Sequence, residues 1–249
     1  MKEYVYRIQT VNSLGIMKKM EIFIGIIFGL MIVFSFKISS KFHSNQQVTG
    51  SEFVNKLESI GYFKYAKQDD IRKLKDNLAK NFDPNNELVT LWDDFTGTPL
   101  DFRYYGCDGE AVFEQDGFTD MLNELDPTFN KIGLNIKITN HVEEWDNKNK
   151  WLNHRITING TEYIIFKNFK GFGWGEAVVR LAQIINLEAE KQSIDERIYL
   201  ASGGNDGRLI FLTTELYEYI YLIYKNRQWK PLMIEEWMKE MDVKPMNLN

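Results

Sequence analysis

Residues 155–166 have the sequence RITINGTEYIIF. The pair Asn159-Gly160 at the centre is typical of a two-residue β-hairpin turn, in which both central residues need a positive φ angle. The flanking segments, 155–158 and 161–166, are rich in β-branched and aromatic residues, which favour strands. The sequence therefore predicts an antiparallel hairpin, and the fold is expected to be built around antiparallel strand pairing.

Other elements are predicted on both sides of this hairpin. Helices are predicted at 51–60 (capped by Ser51 and ended by Gly61), 68–80, 118–125 (ending before Pro127) and 176–191. Two more are predicted near the C-terminus, one that begins after a cap at Thr213-Thr214 and one that begins at Pro231. Strands are predicted at 88–92, 102–105, 111–113, 134–139, 197–201 and 208–212, with 143–150 as a loop or helical turn. This order indicates an α+β fold with a largely antiparallel sheet backed by helices.

The composition excludes several classes of protein. The 249 residues are 44% hydrophobic and 26% charged, which is typical of a globular chain and not of a disordered one. A single cysteine excludes an intrachain disulfide and a multi-cysteine metal site. The net charge of -5 gives no indication of nucleic acid as a partner.

The segment 22–36, IFIGIIFGLMIVFSF, is apolar and uncharged, and the wider segment 20–38 is close to the roughly 20 residues that a membrane-spanning helix needs. More basic residues precede it than follow it, so the positive-inside rule places the N-terminus in the cytoplasm. We therefore expect a single-pass protein of the cell membrane. Its cytoplasmic N-terminus is 1–19, its transmembrane helix or signal segment 20–38, its linker 39–50, and its globular domain 51–249, on the outer (periplasmic or extracellular) side.

Two alternatives for this segment stay open. Met17-Lys-Lys-Met20 before an apolar run resembles the start of a signal peptide, although no Ala-x-Ala cleavage pattern follows. The segment could instead be a buried core helix. Translation starting at Met17 would also suit an export segment better than the polar residues before it.

The part of the chain after residue 47 is distinctly acidic. The first 47 residues hold six of the 30 basic and two of the 35 acidic residues, which leaves 24 basic and 33 acidic residues, a net charge of -9. An acidic surface accelerates association with a basic protein partner. The sequence therefore predicts two partners, the membrane and a basic protein.

Candidate catalytic residues lie in an acidic region at 93–116. Asp108 and Glu110 would share one face of a strand, and His154 or His141 could carry a proton between them and a substrate. The simpler interpretation is a solvated acidic rim with a turn at Asp108-Gly109. Cys107 next to Asp108 is expected to be a small buried side chain and not a nucleophile, because a neighbouring carboxylate raises a thiol pKa.

His141 and His154 have no acidic or histidine partner at a metal-ligand spacing in the predicted elements, so we expect them to make separate polar contacts at strand ends. The sequence accordingly predicts no metal site and no cofactor.

Four residues are candidates for binding a partner or ligand: Trp145, Trp151, Trp174 and Arg208. Trp145 and Trp151 bracket a charged loop, and Arg208 follows a glycine-rich turn. Core packing and a plain hairpin turn are the simpler interpretations. The GFGWG segment at 171–175 could hold an anion at a helix start, but it matches neither a dinucleotide-binding nor a phosphate-loop motif.

Residues 110–220 resemble a group of uncharacterised bacterial single-domain proteins in three stretches: VFEQDGFTDMLNEL (112–125), KWLNHRITINGTEYIIFKNFKGFGWGEAVVRLAQIIN (150–186) and GGNDGRLIFLTTELYEYI (203–220). No activity is established for that group, so the resemblance implies no catalytic residue. In size and acidic α+β character the chain is also similar to immunity proteins that neutralise antibacterial toxins.

The expected function is thus a membrane-anchored acidic domain that binds a protein partner, in the manner of an immunity protein. The alternatives are an envelope hydrolase that uses the Asp/Glu cluster with His154, and a structural component of an envelope complex.

Overall fold

The computed structural model describes residues 48–246. The chain divides into two units, Met1–Gln47 and Val48–Asn249, and only the second is described below. The predicted cytoplasmic segment, the transmembrane helix at 20–38 and most of the linker therefore lie outside the described residues. Within residues 48–246, none of the helices combines the length and apolar character needed to cross a bilayer.

Seven α-helices and six strands make up the described part of the chain. The helices are α1 (Gly50–Ser59), α2 (Gln68–Asn81), α3 (Gly109–Phe113), α4 (Gly117–Ile132), α5 (Trp174–Lys191), α6 (Thr214–Ile223) and α7 (Ile234–Glu240). The strands are β1 (Tyr104–Cys107), β2 (Ile138–Asp146), β3 (Trp151–Ile158), β4 (Thr161–Phe169), β5 (Arg197–Ala201) and β6 (Gly207–Leu212). The predicted α+β class is confirmed.

The strands form two antiparallel sheets of three strands each, where the sequence indicated one sheet. Sheet A has the order β1-β6-β5, and sheet B is the meander β2-β3-β4. The predicted hairpin is confirmed as β3-β4, with Ile158 opposite Thr161. Asn159 and Gly160 both have positive φ angles, 52° and 80°, as the sequence of this turn requires.

Helices cover both faces of sheet A. On one face, α1, α2 and α6 pack in a cluster with Tyr104, Ile210 and Leu212. On the other face, residues of α4 and α5 form a cluster with Leu209 and Phe211, and this cluster continues onto β3 and β4 of sheet B. Helix α5 therefore packs against both sheets and holds them together.

Several predicted boundaries are wrong for identifiable reasons. The predicted strand at 111–113 is helix α3, because the Asp108 side chain accepts hydrogen bonds from the first turn and caps it. The predicted strand at 88–92 is reduced to one bridge between Trp92 and Pro99. The predicted loop at 143–150 belongs to β2 as far as Asp146.

Three helix ends also differ from the sequence prediction. Thr49, not Ser51, caps α1, and its side chain forms a capping box with Glu52. Helix α7 begins at Ile234, three residues after Pro231. Helix α4 continues through Pro127 to Ile132, because its apolar face stays buried beyond the proline. That burial outweighs the one backbone hydrogen bond that proline cannot donate.

A fully buried arginine joins the helical N-terminal region to sheet A. The Arg103 guanidinium donates through Nε to the carbonyl of Tyr62 (2.6 Å), through Nη1 to that of Phe211 (2.9 Å) and through Nη2 to that of Gly61 (3.1 Å). Asp101, also buried, accepts from the Tyr62 hydroxyl (2.9 Å) and from the Arg103 backbone N–H (2.9 Å). One side chain thus satisfies three carbonyls from two distant parts of the chain.

Replacing Arg103 with methionine should lower the free energy of unfolding by about 3–5 kcal/mol, because it leaves buried carbonyls and carboxylates without a donor or counter-charge. Urea denaturation of the full-length protein measures this change. The matched control is Arg155→Met, whose ion pairs with Glu144 and Glu162 are exposed and 3.9–4.0 Å long, and which should cost less than about 1 kcal/mol. Equal losses for the two variants would contradict the role assigned to Arg103.

Candidate functional site

The pairing of β2 with β3 brings three polar side chains to one place. His141 and Glu143 are two residues apart on β2, so their side chains point to the same face of sheet B. Glu143 lies directly opposite His154 of β3 in the antiparallel register. The strand period and the register together place all three side chains next to each other, and we call them the His–Glu–His cluster.

The polar atoms of the cluster form a tight triangle. Nε2 of His141 lies 2.8 Å from Nε2 of His154, and Glu143 Oε1 lies 3.3 Å from each of these nitrogens. The side chains of His141, Glu143 and His154 are only 18%, 7% and 4% exposed. The expectation of separate polar contacts for the two histidines is therefore wrong, since they contact each other and share one carboxylate.

Aromatic side chains surround His154. Phe118 meets its ring edge-on at 5.6 Å between centroids, and Phe166 lies at 6.3 Å on a neighbouring strand. Burial in these surroundings, with a smaller contribution from His141, lowers the pKa of His154 to about 3. His154 is thus a neutral imidazole at neutral pH.

The second oxygen of Glu143 is held by other groups. Glu143 Oε2 accepts a hydrogen bond from the backbone N–H of Asp116 (3.2 Å) and one from the indole Nε1–H of Trp145 (3.4 Å). Asp116 immediately precedes α4, so the start of that helix helps to orient the carboxylate. These bonds leave Oε1 directed at the two histidine nitrogens.

Two nitrogens and one oxygen converging in this way could hold a metal ion or could share protons. Within residues 48–246, this is the only group of three or more His, Cys, Asp or Glu side chains whose ligand atoms lie within 4.8 Å of one another. Sequence reasoning missed Glu143 because it placed the end of the strand at Thr139. A strand continuing to Asp146 would have given the His-x-Glu spacing typical of ligands on one face, but the opposition of His154 required the register.

Exposed aromatic side chains lie beside the cluster. Trp145, Phe172 and Trp174 are 40%, 79% and 37% exposed, and we call them the aromatic corner. Phe113 connects them. Its ring centroid is 5.5 Å from that of Trp145, and the ring also lies against Gly173, the residue that separates Phe172 from Trp174 in the sequence. A side chain at Gly173 would overlap Phe113, and its φ angle is +65°, so packing explains this glycine without an anion.

The other predicted site residues lie outside the cluster. Asp108 caps α3, Glu110 is exposed in the first turn of that helix, and neither is among the groups that contact His154. Trp151 pairs with Asp146 at the far end of the β2-β3 ladder. Arg208 forms an ion pair with Glu87 (3.1 Å), which occupies its guanidinium.

The thiol of Cys107 should be unreactive in the native protein. Cys107 is buried, and burial, with smaller effects of Glu124 and Asp108, raises its pKa to about 12. Near pH 8, little of Cys107 should be thiolate. A chromogenic aromatic disulfide should therefore react with Cys107 of the native protein at least about a thousandfold more slowly than with Cys107 of the urea-unfolded chain. Absorbance of the released thiol measures both rates. A native rate equal to the unfolded rate would contradict the buried, neutral thiol.

No family model matches the chain, and no significant match was found among curated proteins or solved structures.

Proposed function

We propose that the chain is a membrane-anchored acidic domain that binds a protein partner through the aromatic corner. The observation that carries this proposal is the exposure of Trp145, Phe172 and Trp174 at one place. Aromatic residues are enriched at protein interfaces, and tryptophan in particular contributes much of the binding energy there. Large side chains of this kind cost free energy in water unless a partner covers them.

The charge of the domain selects the kind of partner. A net charge of -9 after residue 47 favours a basic protein, and long-range attraction accelerates its association. The anchor proposed for residues 20–38 would hold the domain at the outer side of the cell membrane. An immunity-type role, in which the partner is a basic toxin, agrees with the similarity to immunity proteins in size and acidic α+β character. A role in an envelope complex is the related alternative.

An envelope hydrolase is the second candidate. Its catalytic residues would be those of the His–Glu–His cluster and not the acid pair predicted from the sequence. His154 lies beside Glu143 and His141, so these residues, and not Asp108 and Glu110, would move protons. The two larger cavities described, of about 470 and 390 Å³, are lined by other residues. A substrate pocket at the cluster thus has less support than a binding surface beside it.

Removing two aromatic rings from the corner should abolish partner binding. The double variant Phe172→Ala/Trp174→Ala leaves Trp145, and hence its bond to Glu143, in place. Full-length wild-type and variant proteins are cross-linked in cells and purified. One basic protein should be at least about tenfold depleted with the variant, since the loss of an interface hot spot costs about 2 kcal/mol or more. Quantitative mass spectrometry measures the depletion.

The matched control is Trp92→Ala, because Trp92 is also 40% exposed but lies outside the corner. It should retain the partner. Identical sets of proteins recovered with the wild type and the double variant would contradict the proposal, as would an equal loss with Trp92→Ala. Binding should also weaken as the salt concentration increases, because salt screens the attraction between the acidic domain and a basic partner.

A further inference from the structure

The dimensions of the His–Glu–His cluster match those of a metal site. A circle through its three atoms, which are separated by 2.8, 3.3 and 3.3 Å, has a radius of about 1.8 Å. Metal bonds to imidazole nitrogen and carboxylate oxygen are about 2.0–2.2 Å long, so an ion about 1 Å out of the plane would reach all three atoms.

With Glu143 ionised, no arrangement of protons makes all three contacts attractive. A ring nitrogen at a given moment either donates a proton or accepts one, and a carboxylate oxygen accepts. If one histidine donates to the other, the accepting nitrogen faces Glu143 Oε1 at 3.3 Å, lone pair against lone pair. If both nitrogens are protonated, two N–H groups face each other at 2.8 Å. One cation in the centre makes all three contacts attractive at once.

The surroundings of the cluster hold the ligands in place for such an ion. The hydrogen bonds from Asp116 and Trp145 to Glu143 Oε2 are the outer contacts that typically orient a metal-binding carboxylate. The β3-β4 register shifts on both sides of His154, and irregularities of this kind re-aim side chains at functional sites. Groups outside the cluster therefore help to orient Glu143, and the strand irregularity lies where His154 enters the cluster.

The types of ligand select the class of ion. Imidazole nitrogens suit zinc and the neighbouring transition metals, whereas calcium and magnesium require shells of oxygen ligands. Within the described residues, no fourth His, Cys, Asp or Glu belongs to the group, so three protein ligands would leave a coordination position for water. Two histidines, one glutamate and a water form a recurrent zinc ligand set.

We propose that His141, Glu143 and His154 form a binding site for a divalent transition-metal ion, for which Zn²⁺ is the best fit. This proposal is independent of the partner-binding proposal. It departs from the sequence prediction of no metal site, which depended on treating Glu143 as part of a loop.

Titration of the tag-free, chelator-treated full-length protein with Zn²⁺ tests the site. A chromogenic competing chelator should report one bound ion per chain, and Mg²⁺ and Ca²⁺ should not compete. Co²⁺ should bind with the intense visible absorption of a four-coordinate ion. Glu143→Gln, which keeps the shape of the side chain, and His141→Gln, at the most exposed position of the cluster, should each weaken Zn²⁺ binding by more than about 100-fold, since even the loss of an outer contact costs 10–100-fold.

The matched control is Glu144→Gln, because Glu144 is the next residue on β2 and points to the opposite face. Its affinity for Zn²⁺ should equal that of the wild type. Circular dichroism identifies any variant that does not fold, and the two independent ligand variants keep the test decisive if one fails. Absence of stoichiometric Zn²⁺ binding by the wild type, or wild-type affinity in a folded Glu143→Gln or His141→Gln variant, would overturn the proposal.

Discussion

The desolvated guanidinium of Arg103 is the constraint on which the rest of the domain depends. A buried charge is tolerated only when its hydrogen bonds and its charge are both satisfied. The carbonyls of Gly61, Tyr62 and Phe211 accept its hydrogen bonds, and Glu196 and Asp101 supply negative charge nearby. Because these groups come from the short segment after α1, from β6 and from the approaches to β1 and β5, they meet only in the native topology. The arginine thus ties helices and sheet A into one arrangement, onto which α5 then packs.

Helix α5 is bonded to sheet B by a second buried polar side chain, Glu188. Glu188 accepts hydrogen bonds from Asn159 in the hairpin turn (2.7 Å), from the Tyr163 hydroxyl on β4 and from Lys191 (2.8 Å). The turn and β4 are therefore fixed to the helix, and the pairing of β3 with its neighbours follows. Slippage of β2 by one residue would turn Glu143 away from His154. The geometry of the cluster is thus a consequence of packing about the hairpin and not of the three residues alone.

Local signals explain which parts of the fold could be predicted. The Asn159-Gly160 turn, the apolar periodicity of α5 and the strands β5 and β6 each depend on neighbouring residues, and all are confirmed. The predicted strand at 134–139 overlaps β2 only at 138–139 and stops before its charged part, because an edge strand with one solvated face can carry charged residues that resemble a loop. The cluster was missed because it requires the register between two strands, which no single segment encodes. Helix α3 was missed because five residues are too few to show a helical period.

Glu143 connects the two surfaces that are proposed to carry function. Its Oε1 faces the histidines, while its Oε2 accepts from Trp145, an exposed member of the aromatic corner. Withdrawal of negative charge toward a cation at Oε1 would weaken the hydrogen bond at Oε2, whereas fixing the carboxylate would restrict the orientation of the indole. These effects have opposite signs, and the distance of 3.4 Å indicates a weak bond with little to lose. A hydrogen bond this weak transmits little in either direction, so the metal site and the aromatic corner act as separate features of one sheet face.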